Sequence, residues 1–306
     1  MKPIVVTTGQ AFADIDAVAC AIAYTELLHL ESKTAEVVLP GVLNNSVTDS
    51  VRVWGLEYVT TPTHPDAEYI LVDVSDPAHI ANCAKNSNVT EVYDHHPGFE
   101  QYWQEKVGNN SHIEPIGAAA TLIWEEFKKR GFADNISPKS TQLLAVAILS
   151  NTLNFGAIIT HKRDHVAYAE LQALAPLSPE WITLYFTEQE QAVIKDVHQS
   201  IISDTKVFTP PTLPFTLTIG QLELWDGSVF LKNNLEDIQL ALESFGHDHW
   251  IMSIPSLSEK KNHFYTKNEE VKKLFSQGLS IVFDGDFATS PRLWLRKEII
   301  KMLTAV

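Results

Sequence analysis

An acidic residue and two histidines stand together at Asp94-His95-His96. The apolar run before them, at 89–93, predicts a buried strand, and Pro97-Gly98 after them predicts a turn. Carboxylate and imidazole together suit first-row divalent ions, so the motif indicates metal chemistry at the end of a strand. Three residues alone are a weak signal, but other acidic strand ends strengthen it.

Those other acids are Asp14, Asp16 and Asp73. The first two follow a predicted strand at 4–8, and Asp73 lies near the end of another at 68–74. Ligands of α/β sheets bind beyond the carboxyl ends of the strands, so we expect these acids to converge on one edge. Taken singly, Asp16 could be a helix cap and Asp73 a turn former. Because their mutual repulsion is costly without a cation, the whole set favours a metal site.

The elements that must position these residues alternate between strand and helix. This alternation predicts a mostly parallel sheet covered by helices, followed by a smaller α/β domain. We predict domains at 1–188 and 209–306, with a linker helix region at 189–208. The predicted strands are 4–8, 36–39, 68–74, 89–93, 215–224, 250–254 and 280–283, and the predicted helices are 17–30, 118–130, 138–150, 187–203 and 235–245.

Length and charge narrow the class of protein. The chain has 306 residues, above the size at which single cores stop growing, which favours two domains. Its 23 basic and 38 acidic residues give a net charge of −15, which argues against binding to duplex nucleic acid. An anionic substrate stays compatible, because bound metal ions reverse the local field. Two cysteines, no signal-peptide pattern and no membrane-length apolar run predict a cytoplasmic protein without a membrane partner.

The ordered motifs resemble the DHH phosphoesterase superfamily. The order is strand, Asp-x-Asp, apolar helix, strand ending in Asp, and then Asp-His-His. Segments 203–208, 219–222 and 295–300 resemble the C-terminal domain of the family II (manganese-type) inorganic pyrophosphatase, exopolyphosphatase and Prune group. The resemblance implies an α/β fold in which a DHH domain and a smaller C-terminal domain enclose an active-site cleft.

The resemblance also implies a ligand set for two divalent ions, Mg²⁺ or Mn²⁺, or for fewer. Gln10 stands where pyrophosphatases carry a histidine ligand, and Asn151 stands where nearly all members carry an aspartate. Segments 9–16 and 150–155 are more similar to the exopolyphosphatase and Prune branch. One ion would contact Gln10, Asp14 and Asp73, and the other Asp16, Asp73, His95 and Asn151.

The implied reaction is hydrolysis of pyrophosphate or polyphosphate by a water that the ions activate. Asp94 would orient His95, and His96 would face a small anionic substrate. Lys206, Arg296 and Lys297 would hold terminal phosphates. For Arg163, contact with the substrate and an ordinary position on the protein surface are equally compatible with the sequence.

Two other functions stay open. The two amides, Gln10 and Asn151, are compatible with a weakened relative that binds phosphorylated ligands or a protein. A small-nucleotide phosphodiesterase is the other, although the Gly-Gly-Gly-His motif of that branch is absent from the sequence. Both a monomer and a homodimer are compatible with the sequence.

Overall fold

A computed structural model of the chain describes residues 2–64, 66–209 and 213–304. The chain divides into two compact units. The first runs to Phe155 and adds Ile159–Ile182, and the second combines Gly156–Ile158 with the residues from Thr183 onward. The domain boundaries expected from the sequence stay a prediction, although residues assigned there to a linker form a strand in the sheet of the second unit.

The first unit alternates strands and helices. Its strands are β1 (Ile4–Thr7), β2 (Phe12–Ala13), β3 (Ala35–Val38), β4 (Val42–Leu43), β5 (Glu68–Val72), β6 (Asn88–Asp94) and β7 (Ser111–Ile113). Its helices are α1 (Ile15–Leu30), α2 (Asp49–Arg52), α3 (Glu100–Val107), α4 (Ala119–Lys129), α5 (Pro138–Asn151) and α6 (Lys162–Leu174).

Five of these strands form a parallel sheet in the order β3-β1-β5-β6-β7. Val6 in β1 pairs with Val37 on one side and Ile70 on the other, and all three side chains are buried. A parallel sheet covered on both faces favours such continuous apolar strands. Strands β2 and β4 form a separate two-stranded parallel sheet.

Helices α1 and α5 are fixed by their first residues. The Asp14 side chain caps α1, whose residues from Ile15 to Thr25 are all buried. In α5, Ser137 is the cap and Pro138 takes the first helical position, where the missing N–H costs nothing. The two helices pack on each other, which places the last residue of α5 near the start of α1.

The second unit contains a six-stranded mixed sheet, whose strands lie in the order β12 (Phe283–Asp284), β13 (Phe287–Ser290), β11 (Lys261–Tyr265), β10 (Trp250–Ser256), β9 (Leu217–Gln221) and β8 (Thr205–Phe208). Helix α7 (Pro179–Ile194) spans the point at which the chain divides. The elements after it are α8 (Val197–Ser203), β8 (Thr205–Phe208), β9 (Leu217–Gln221), α9 (Gly227–Asn233), α10 (Leu235–Glu243), β10 (Trp250–Ser256), β11 (Lys261–Tyr265), α11 (Glu269–Leu279), β12 (Phe283–Asp284), β13 (Phe287–Ser290) and α12 (Arg296–Thr304).

The core of the second unit lies on both faces of this sheet. Met252 and Ile254 in β10 pack into one apolar cluster. Ile251, the residue before Met252, packs into another. This alternation follows from the two-residue period of a strand. The expected fold class, a helix-flanked parallel sheet followed by a smaller α/β domain, is confirmed.

Two expected elements differ from the structure. The single helix expected at 187–203 is broken at Asp196, whose side chain accepts a hydrogen bond from the Gln199 backbone and so starts a new helix. The strand expected at 280–283 begins only at Phe283, because Ser280 adopts a left-handed conformation that ends α11. Among the described helices, none combines the length and apolar character that crossing a membrane requires.

Candidate metal centre

Three neighbouring parallel strands, β1, β5 and β6, end at the same edge of the first sheet. Asp73 follows β5 directly, and Asp94 is the last residue of β6. Asp14 lies at the start of α1, where its Oδ1 accepts a hydrogen bond of 2.9 Å from the Ala17 backbone N–H. The structure therefore brings the strand-end acids together, as the sequence predicts.

Asp73 is held in an unusual conformation. Its φ is +56°, in the left-handed region that residues other than glycine seldom adopt. Its backbone N–H donates to the Tyr93 carbonyl (2.8 Å), which ties this turn to the end of β6. The side chain is buried, and its Oδ1 receives no hydrogen bond from the described residues. Such strain and unpaired polarity concentrate at functional sites.

Two imidazoles approach that unpaired oxygen. His95 Nε2 lies 3.4 Å from Asp73 Oδ1, and His96 Nδ1 lies 3.9 Å from it. Burial, followed by repulsion from Asp14 and Asp16, raises the pKa of Asp73 well above its ordinary value. Negative charge is therefore costly here, and a bound cation would stabilise it.

His95 is oriented toward the acids by a backbone contact. Its Nδ1 lies 3.1 Å from the Ile116 carbonyl, which can only accept a hydrogen bond, so Nδ1 carries the proton. Nε2 then faces the acids, 3.4 Å from Asp73 Oδ1 and 4.0 Å from Asp16 Oδ2. A histidine that donates one nitrogen to a carbonyl and turns the other inward has the arrangement of a metal ligand.

Asp16 differs from Asp73, because donors surround it. Its Oδ2 accepts hydrogen bonds from the Ala119 backbone (2.8 Å) and from Asn151 Nδ2 (2.7 Å). Its Oδ1 accepts from the Ala120 backbone (2.9 Å) and from Cys20 Sγ (3.3 Å). The carboxylate thus caps the N-terminus of α4 across a long sequence separation, a position that favours negative charge.

The environment of Asp16 still disfavours its ionised form. Burial raises the pKa of Asp16, Asp14 adds to the increase, and His95 and the backbone donors oppose it. Asn151, at the end of α5, contributes a neutral donor where an aspartate would add one more negative charge. The amide nitrogen therefore faces Asp16, and this contact does not offer an amide oxygen to an ion.

Asp94 and His96 form a pair beside the unpaired oxygen. Asp94 Oδ1 lies 2.8 Å from His96 Nδ1 and also accepts from the His95 backbone N–H (2.8 Å). Burial would raise the pKa of Asp94, but the hydrogen bond and charge of His96 outweigh it and lower the pKa. The same hydrogen bond raises the pKa of His96 against the effect of burial. His96 therefore carries a proton on Nδ1, and its side chain remains 53% exposed.

Gln10 reaches the same region with its oxygen already engaged. Its Oε1 accepts a hydrogen bond of 2.7 Å from the Asn82 backbone N–H. A cavity of about 570 Å³ lies beside it, and its polar lining includes Gln10, Asp14, Asp73 and His96. The structure thus places Gln10 at the edge of the site. Its role as a metal ligand stays a prediction.

The expected phosphate-binding residues lie in different surroundings. Arg163, in the first unit, forms ion pairs with Glu114 and Glu125, so carboxylates already occupy its guanidinium. Arg296, in the second unit, donates to the Asp204 carbonyl (2.6 Å) and to the Asp204 Oδ1 (2.7 Å). These contacts neutralise both arginines, and their substrate roles stay predictions.

The two expected lysines belong to the second unit. Lys206 lies in β8 with its side chain exposed to solvent. Lys297 lies in α12, and its side chain is outside the part of the chain that the structure describes. Their contacts with phosphate stay predictions.

Sequence reasoning missed the groups that hold Asp16 and His95. Residues 119 and 120 read only as the start of a predicted helix, yet their backbone amides bind Asp16. One signal was available, because Ala118 stands at the cap position and forms no capping hydrogen bond. A helix start without a local cap indicates that another part of the chain supplies the acceptor. The cavity residues Phe12 and Lys85 were missed as well.

The donor set fits a divalent metal ion. Ligand atoms of Asp73, His95 and His96 all lie within 4.8 Å of one another. The unpaired buried oxygen of Asp73 and the inward nitrogen of His95 are the best placed of these atoms. Imidazole nitrogen with carboxylate oxygen suits Mn²⁺ and neighbouring first-row ions.

Known proteins were compared with the chain. Residues 4–148 match the model of the DHH family, N-terminal domain. This segment, just under half of the chain, is a DHH-family domain. The match covers the strands and helices that carry the DHH acids and histidines, and it ends within α5.

Curated relatives of this chain include two described as "Probable manganese-dependent inorganic pyrophosphatase". The one from Bacillus cytotoxicus is 30% identical over 185 residues, which are 58% of this chain and 56% of the relative. The one from Lactobacillus delbrueckii subsp. bulgaricus is 24% identical over 284 residues, 88% of this chain and 87% of the relative. The more similar match thus spans little more than half of each protein.

Solved structures share the fold of this chain. A structure from Methanococcus jannaschii, described as a "putative family II inorganic pyrophosphatase", has a TM-score of 0.63 at 21% identity and covers 100% of this chain and 99% of its own. An exopolyphosphatase-related protein from Bacteroides fragilis has a TM-score of 0.50 at 10% identity, covering 99% and 90%. At these identities the likeness establishes the fold alone.

Proposed function

We propose that this protein is a metal-dependent hydrolase of phosphoanhydride bonds, acting on inorganic pyrophosphate or polyphosphate. The observation that carries the proposal is the buried, unpaired Oδ1 of Asp73 beside His95 Nε2. The manganese-dependent pyrophosphatases among its relatives support the same assignment.

Asp73 and His95 would hold the ion, with Asp14 on the side of the cavity. A bound divalent ion supplies charge neutralisation for the phosphoryl oxygens and activates water near neutral pH. The chain itself fixes the ligands in advance, since Ile116 orients His95 and the Tyr93 carbonyl holds the turn at Asp73. Such preorganisation favours binding of the metal.

Asp94 and His96 would act as the proton donor. Asp94 keeps a proton on His96 Nδ1 and stabilises the imidazolium, and His96 lies in the wall of the cavity. A protonated imidazole can donate to the oxygen that leaves phosphorus, or bind a phosphoryl oxygen. Because its Nδ1 is hydrogen-bonded to Asp94, His96 is better suited to donate a proton than to bind a metal ion.

The Asp16 side of the site supports tight binding of one ion rather than two. Four donors already occupy the oxygens of Asp16, and Asn151 supplies one of them. A second ion would have to displace at least part of this network without the charge of a further aspartate. The same observation favours the second candidate function, a weakened relative that binds phosphorylated ligands.

A phosphate-release assay would test the proposal. It would combine Mn²⁺, Mg²⁺ or Co²⁺ with pyrophosphate, tripolyphosphate, long polyphosphate and a cyclic dinucleotide. We expect metal-dependent release from an anhydride, lost in Asp73→Asn and kept in Asp49→Asn, a control in the exposed first turn of α2. Absence of turnover with every anhydride, together with activity gained in Asn151→Asp, would establish the weakened relative instead.

A further inference from the structure

The cavity at the metal centre has an aromatic wall that an inorganic substrate does not need. Besides Asp14, Asp73 and His96, its lining includes Phe12 and several small apolar residues. Its volume of about 570 Å³ lies within the range of about 300–1,000 Å³ typical of sites for organic ligands. The apolar part of the lining consists of Ala11, Phe12, Ala17, Val74 and Ala78.

Phe12 is held in place with its ring in solvent. Phe12 is 59% exposed, whereas the next residue, Ala13, is fully buried, as the alternation of a strand requires. Phe12 pairs with Val42 in the small sheet. Gly41 lies so close that a Cβ there would come within 2.7 Å of the Phe12 Cα. The backbone under the ring is therefore fixed by pairing and close packing.

A cation completes the cavity wall. Lys85 lines the same cavity, and among the described residues none forms an ion pair with it. A free ammonium group suits a phosphate, and an exposed aromatic face suits a flat base, whose stacking tolerates any base identity. The two groups together match a molecule that has both parts.

We infer that the preferred substrate is a nucleoside di- or triphosphate, whose base stacks on Phe12 while its phosphates lie toward Asp73 and His96. This inference rests on the proposed hydrolase function for the bond that is cleaved. Water adds to the terminal phosphorus and loses a proton to the solvent, and the bond from that phosphorus to the bridging oxygen breaks. The leaving oxygen takes the Nε2 proton of His96, which the solvent then restores, while Nδ1 stays bound to Asp94. The products are phosphate and the shortened nucleotide.

Calorimetric binding to the whole protein with Mg²⁺ tests this independently of turnover. The probes are the β,γ-imido analogue of ATP, which resists hydrolysis, and imidodiphosphate, which lacks the nucleoside. We expect the nucleotide analogue to bind at least about fivefold more tightly, the minimum from base stacking, and Phe12→Ala to remove that advantage. Phe12→Tyr should restore it, and Val42→Ala, beside Phe12 but outside the cavity lining, should keep it.

Equal binding of the two probes by the wild type would overturn the inference. So would a Phe12→Ala variant that keeps the full advantage of the nucleotide. Failure of the proposed function looks different: the analogue would bind through Phe12 while no anhydride, with or without a nucleoside, releases phosphate. Conversely, the wild type could release phosphate from pyrophosphate and bind both probes equally. That result would support the proposed hydrolase function and contradict the inference that the substrate carries a nucleoside.

Discussion

The first unit contains two clusters of buried or partly buried acids, and they differ in whether a cation lies among them. Around Arg130, Glu126 approaches to 2.9 Å, and Glu31 and Glu91 to 3.3 Å. At the edge of the sheet, Asp14, Asp16, Asp73 and Asp94 form no ion pair with any described lysine or arginine. In the first cluster, an arginine of the chain itself compensates the negative charge. In the second, compensation depends on histidines and, as we propose, on an added metal ion.

The directions of the pKa shifts show the same contrast. Burial acts to raise the pKa of both Glu31 and Glu126, yet nearby basic groups, Arg130 among them, outweigh it and lower both. At the sheet edge, burial and like charge raise the pKa of Asp16 and Asp73 instead. A buried carboxylate without a cation is costly, so the uncompensated cluster is the one suited to binding a metal.

Asp73→Asn should produce the largest effect on activity. We expect kcat/KM with Mn²⁺ to fall by more than about 100-fold, beyond the usual range for groups outside the ligand sphere. Asparagine tolerates the left-handed backbone of this position, so the metal-free variant should melt no lower than the metal-free wild type. Calorimetric unfolding and steady-state kinetics check both expectations. If the variant retained full Mn²⁺-dependent activity, Asp73 would not be a metal ligand.

Arg130→Met should break the other cluster. Removing one partner of a largely buried ion pair destabilises a protein by about 3 kcal/mol, because the carboxylates lose their cation. Lys128→Met, in the last turn of α4 two residues before Arg130, is the control, since its ion pair with Glu170 is more exposed and should contribute about 0–1 kcal/mol. Urea unfolding measures both. Equal effects of the two substitutions would contradict the contrast between the clusters.

Asn151→Asp should make the stability of the protein more dependent on bound metal ions. The new carboxylate replaces one of the two donors to Asp16 Oδ2, at 2.7 Å, and the loss of this hydrogen bond to a charged group costs about 1–3 kcal/mol. The metal-free variant should therefore melt lower, and Mn²⁺ should restore it while the number of bound ions rises from one to two. Elemental analysis after dialysis gives that number. Two ions already bound to the wild type would refute the one-ion assignment.

The smallest expected effect concerns pH. Because the folded-state pKa of Glu126 is lowered, its contribution to stability is present above the unfolded-state value, near 4.5, and is lost as pH falls through the folded-state value. The stability difference between wild type and Arg130→Met should therefore shrink below about pH 4.5. Urea midpoints measured between neutral and acidic pH would show it, and a difference that grows on acidification would be the opposite result.

The sequence predicts the strand ends but not what surrounds them. The convergence of Asp73 and His95 follows from parallel strands, whose carboxyl ends share an edge. The capping of α4 by Asp16, the amide contact of Asn151 and the cluster around Arg130 depend on residues distant in sequence. Side-chain patterns carry little information about such contacts, because any of several acids could have met the same donor.

The break in the helix expected at 187–203 has a local cause that the sequence itself indicates. Asp196 followed by Gln199 offers a side-chain oxygen to a backbone N–H three residues on, and this is a new helix start. The exposed ring of Phe12 had no such signal, since only the pairing of β2 with β4 turns it to solvent.

The most direct measurement is a crystal structure with Mn²⁺, with data collected at the manganese absorption edge. We predict an anomalous peak between Asp73 and His95, with His96 still hydrogen-bonded to Asp94 and no second peak of equal height beside Asn151. A peak elsewhere in the protein, with Asp73 Oδ1 still unpaired, would contradict the claim that the cation-free acidic cluster is the metal centre.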